Sequence, residues 1–75
     1  MERHPFPRDL LQAQTAFYVT YVQLAARPSS EATAGRQRLL QLSQLIDAHP
    51  YWRTPAGTPA ARVALREAAR AGAQS

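Results

Sequence analysis

Seventeen consecutive residues, Leu10 to Ala26, carry no charge, and the apolar positions among them follow helical spacing. With Leu10 at zero and about 100° per residue, Leu10, Leu11, Ala13, Phe17, Tyr18, Tyr21, Val22, Leu24 and Ala25 fill an arc of roughly 180°. Gln14 alone interrupts it, and the other side holds Gln12, Thr15, Ala16, Val19, Thr20 and Gln23. An arc this wide exceeds what one partner helix covers, so the first helix is expected to be central. Further on, Gly35, Leu39, Leu42, Leu45 and Ile46 form one stripe with Ala32 nearby, the side expected to face the first helix. Leu40 falls about 100° away from Leu39, among Arg36, Ser43 and Asp47. In the last segment Ala61, Ala64, Leu65, Ala68 and Ala69 share a side, and Arg62, Arg66 and Arg70 make a ridge beside them.

Proline, serine, threonine and glycine punctuate these runs. Pro7 suits a first helical position, where its missing N–H would have no partner, and Asp9 then meets the positive end of the dipole. A first helix is predicted over about 7–26, ended by Arg27 and Pro28. Ser29 or Ser30 can cap a second over about 30–48, with Glu31 in its first turn, and Pro50 pushes His49 out of helical geometry. So short a link makes the two an antiparallel αα-hairpin. Gly35 inside the second helix costs about 1 kcal/mol relative to alanine, which implies either a close backbone approach or a weak first turn. In the loop that follows, Thr54-Pro55-Ala56-Gly57 fits a type I turn. Thr58 and Pro59 start a third, short helix over about 59–71, stopped by Gly72. The expectation is a single all-α domain over 1–75, with 1–6 and 72–75 frayed.

Composition supports this layout. Fifteen of 75 residues are alanine, whereas valine, isoleucine and aromatic residues are scarce, which disfavours a sheet. Hydrophobic residues at 45% and a net charge of +4 do not fit intrinsic disorder. A chain of this size hides only about 60% of the surface its unfolded form exposes. With no cysteine to form a disulfide, added stability must come from close helix packing or from a partner. His4 and His49 are the only imidazoles and glycine occurs only at 35, 57 and 72. No zinc-finger spacing, phosphate-cradling loop or dinucleotide fingerprint is therefore present, and neither a metal nor a cofactor is expected. The charged, proline-containing start MERHPFPRDLL lacks a secretory layout, and the polar residues within 10–26 argue against a membrane span. The expected location is the cytoplasm.

A pI near 10.7 invites a nucleic-acid reading, but nine arginines with no lysine in an alanine- and proline-filled chain reflect GC-rich codon supply. Residues 1–52 hold five arginines and four acids, net +1, and residues 53–75 hold four arginines and one acid, net +3. Arg53, Arg62, Arg66 and Arg70 are thus the candidate polyanion-binding set, although the proline-rich connection from Ala48 to Thr58 is too long for a helix-turn-helix. His49-Pro50-Tyr51-Trp52 places large aromatics at a helix exit, where Trp52 either covers the open end of the hairpin or anchors a partner. Asp47 and His49 point about 200° apart on a helix and cannot cooperate unless the helix has ended. No serine has a histidine near it in sequence and no carboxylate pair shares a face, so catalysis and a small-molecule substrate are not expected. Phe17, Tyr18, Tyr21, Val22, Leu40, Tyr51 and Trp52 are the candidate partner-binding residues, the partner being a second copy or another protein.

The segments FPRDLLQAQ, LSQLIDAHPYW and TPAARVALREAARA resemble short actinobacterial helical proteins with an N-terminal Phe-Pro, here Phe6-Pro7, and a His-Pro-aromatic-Trp exit from the second helix, here His49 to Trp52. That group has no known activity, so the resemblance implies the helical layout and transfers no site. The expected function is a non-catalytic interaction or regulatory module that self-associates; the alternative is a nucleic-acid-binding protein using the arginine ridge.

Overall fold

The Pro7 carbonyl accepts the first helical hydrogen bond, from Leu11 N–H at 3.0 Å, so the proline sits just outside the helix that it starts. In the computed structural model, which describes residues 6–26 and 32–74, α1 covers Arg8–Ala26, α2 Ala32–Asp47 and α3 Pro59–Gln74. A 3-10 turn at Pro50–Arg53 joins the last two. No strand occurs among the described residues. The predicted Arg27, Pro28, Ser29, Ser30 and Glu31 signals lie outside them, as do residues 1–5.

Core residues meet at one end of the molecule. Phe6, Leu10, Ile46 and Leu65 form the buried cluster, with Phe17, Tyr51, Trp52, Ala61 and Ala68 packed around it. Phe6 is therefore a core residue rather than part of a frayed start. At the other end of the hairpin the Leu24 side chain reaches over Gly35, where an added Cβ would stand 3.0 Å from Leu24 Cδ1. These two contacts set α1 and α2 antiparallel. α3 runs alongside α1 in the same direction, with Leu65 at the core end and Arg70 further along, over Tyr18. Both α2 and α3 pack on α1 in preference to each other, and the molecule measures 41 × 27 × 18 Å.

Three sequence expectations need correction. Leu45 is 64% exposed: on the α2 wheel it falls about 120° from Leu39, whereas Ile46 and Leu42 fall within about 60° of it and are buried. The stripe is narrower than its leucines suggest. Gly72 does not stop α3, which continues to Gln74; no glycine among the described residues has a positive φ, so Gly72 lacks the geometry of a helix stop. Ala64, placed on the packing side, is exposed. By contrast Thr58 Oγ1 accepts from Ala61 N–H at 3.1 Å as a start cap should. Gly57 N–H closes the turn onto Thr54 O at 3.0 Å.

Candidate functional site

The exit from α2 is built locally. His49 Nδ1 accepts the Tyr51 N–H at 3.1 Å and so caps the 3-10 turn, while Pro50 starts it without needing a donor. With Nδ1 accepting, the ring proton belongs on Nε2, which lies 3.1 Å from both oxygens of Asp9. This bond from His49 holds the Asp9 carboxyl below its ordinary value, against a smaller opposing desolvation effect. Trp52 turns back so that its indole N–H donates to Ile46 O at 2.6 Å. Phe6, Tyr51 and Trp52 then stack edge to face, with centroids 5.7 and 5.3 Å apart.

Asp47 and His49 do not cooperate. Asp47 accepts from Arg62 at 2.9 Å, and the Arg62 guanidinium lies over the Trp52 ring, 4.6 Å from its centroid. Arg62 thereby links the end of α2, the 3-10 turn and α3.

Since α2 and α3 do not close on each other, a cleft of about 260 Å³ remains between them. Gln14 and Phe17 line it from α1, Ser43 and Asp47 from α2, Arg62 and Arg66 from α3, and Trp52 from the turn. Gln14 is 9% exposed, yet no buried polar atom lacks a partner among the described residues. Its amide therefore reaches the cleft. The opposite side of α1 carries a shallow depression of about 550 Å³ over Leu11, Thr15, Ala16, Val19 and Thr20, with Arg38 of α2 at its side.

The predicted residues divide accordingly. Phe17, Tyr51 and Trp52 pack against the core, and Tyr18 is half-buried beneath Arg70 at 6.0 Å. Tyr21, Val22 and Leu40 are exposed, Tyr21 by 58% and Leu40 by 59%. Of the arginines, Arg62 is engaged as above, while Arg53, Arg66 and Arg70 are exposed. Sequence reasoning missed the Asp9–His49 pair, which no local spacing reveals, and the cleft. The cleft's one sequence signal is Gln14, the polar break in the apolar arc.

The described residues form an all-α fold of three helices and one 3-10 turn. The chain belongs to a domain family of unknown function, DUF8825, whose model matches residues 9–68. No curated protein and no solved structure matches the chain. Among the described residues no helix is long and apolar enough to cross a membrane.

Proposed function

We propose that the protein is a non-catalytic protein-interaction module that self-associates through the side of α1 turned away from the cleft. The observation that carries this reading is the charge-free character of that side. Gln12, Thr15, Ala16, Val19, Thr20 and Gln23 run along the helix with no ionised group among them, on a chain of net charge +4. Two copies meeting α1 to α1 about a two-fold axis bring no like charges of α1 itself together, and Arg38 of α2, which flanks this side, falls at the rim of such a contact, where water screens it. Val19 and Val22, 38% and 44% exposed, supply apolar area that water now covers. A chain without cysteine gains nothing from an oxidising compartment, which fits a cytoplasmic setting. Phe6-Pro7 and the His49 to Trp52 exit belong, on this reading, to the same short actinobacterial proteins that the sequence resembles.

The arginine ridge is the weaker reading as a nucleic-acid contact. Arg62 is held by Asp47 and Trp52, which reduces the phosphate contacts a ridge of this length can make. The test is mass in solution. Light scattering at micromolar concentration should give about twice 8.3 kDa, and Val19→Lys should return it to one copy with unchanged helical circular dichroism. A single-copy mass at every concentration overturns the proposal.

A further inference from the structure

The cleft between α2 and α3 lies on the other side of α1 and is independent of self-association. We infer that it binds small planar aromatic carboxylates. Three features of the cleft specify that chemistry.

The first is a donor set without internal partners. Gln14 is 9% exposed, reaches the cleft and makes no hydrogen bond among the described residues. Its amide is open to the cleft rather than sealed away from water, so its N–H groups are free to donate to a ligand held there. Ser43 adds a hydroxyl from the facing wall and Arg66 a guanidinium, the latter outside both ion pairs formed among the described residues. One cation with two neutral donors matches a carboxylate, whose two oxygens take a forked guanidinium and further hydrogen bonds.

The second is charge. Asp47 and Arg62 lie in the same cleft and neutralise each other at 2.9 Å, so Arg66 leaves a net single positive charge. A monoanion is balanced there, whereas a phosphate dianion leaves one charge unpaired beside the Asp47 carboxylate.

The third is shape. Phe17 and Trp52 give the cleft aromatic surface, and about 260 Å³ lies just below the usual range for ligand sites. It admits a single ring with its acid group. The sequence alone leads to the expectation of no small-molecule substrate, and a bound carboxylate of this kind goes beyond it.

Benzoate is the probe, with benzamide and phenyl phosphate as its neutral and dianionic counterparts, titrated into the intact protein and followed by 1H–15N NMR. Benzoate should shift the Gln14 side-chain amide and the Trp52 indole N–H together and saturably, with a Kd near about 1 mM, as expected of so small a ligand. Arg66→Gln should weaken it at least tenfold while the rest of the spectrum stays in place. Gln14→Leu should weaken it several-fold, and Glu67→Gln, one residue from Arg66 and not lining the cleft, should leave it unchanged. The inference is overturned if the shifts do not saturate, if benzamide binds as well as benzoate, if phenyl phosphate binds more tightly, or if Arg66→Gln has no effect.

Discussion

The Arg62 guanidinium lies 4.6 Å from the centre of the Trp52 ring while one of its nitrogens donates to Asp47 at 2.9 Å. One side chain thus joins three segments that local sequence rules treat separately. Trp52 is anchored a second time through its N–H on Ile46 O, so its ring is a structural keystone with one edge on the cleft.

Removing that ring should be costly. Trp52→Ala loses core contact, an indole hydrogen bond and the surface on which Arg62 rests, and is expected to destabilise the fold by about 3–5 kcal/mol. Urea unfolding followed by circular dichroism measures it. Emission of the native tryptophan should lie to the blue of the unfolded chain, and an emission maximum equal to that of the unfolded protein would contradict the burial described above.

Arg62→Gln should have a smaller effect, because its pair with Asp47 is partly exposed on both sides. A double-mutant cycle with Asp47→Asn is expected to give a coupling of about 0.2–1 kcal/mol, and one with Trp52→Leu about 0.5–1 kcal/mol. Coupling to Trp52 should persist in high salt, whereas coupling to Asp47 should fall.

Gly57 and Gly72 should respond oppositely to alanine. A Cβ at Gly57 would stand 2.5 Å from Trp52 Cα and 2.6 Å from Tyr51 O, both backbone atoms that cannot rotate away. Gly57→Ala should therefore cost about 1–3 kcal/mol and lower the Tm. At Gly72 an added Cβ meets nothing within 4 Å, so Gly72→Ala should hold or raise the Tm, gaining up to about 1 kcal/mol from helix propensity.

The Asp9–His49 bond makes a pH prediction with a definite sign. Its hydrogen bond lowers the Asp9 carboxyl below the ordinary 3.8, so the folded state prefers the ionised form more than the unfolded state does. The contribution is present in full above the ordinary carboxylate value and disappears as pH falls through it and on through the lowered one. Wild type should exceed Asp9→Asn in stability at pH 6, and the difference should shrink steadily below pH 4. A difference that is constant down to pH 2 would show that the bond contributes nothing.

Much of the helical layout was legible because its signals are local. Thr58, Pro59 and the Pro55–Gly57 turn act through the backbone of a few neighbouring residues and lie where their φ restriction or hydroxyl requires, whereas Pro7 stands one position before its expected place, as the cap of α1. Gly72 predicts too early an end to α3 because glycine is permissive in both helix and stop, and only the surrounding backbone distinguishes the two. Leu45 was misplaced for a related reason. Leucines repeating every three residues drift around a helix by about 60° per step, so one of them leaves the packed side.

From the amino-acid order alone came the three helices, their antiparallel hairpin and the aromatic exit at His49 to Trp52, all consequences of periodicity and local capping. Only the tertiary structure decided that His49 pairs with Asp9 and Asp47 with Arg62, and that Gln14 reaches a cleft. A helical wheel states where a side chain points relative to its own axis, but which group it meets depends on how three axes are placed around one another. That placement is set by the whole core at once, through contacts between residues as far apart as Phe6, Ile46 and Leu65.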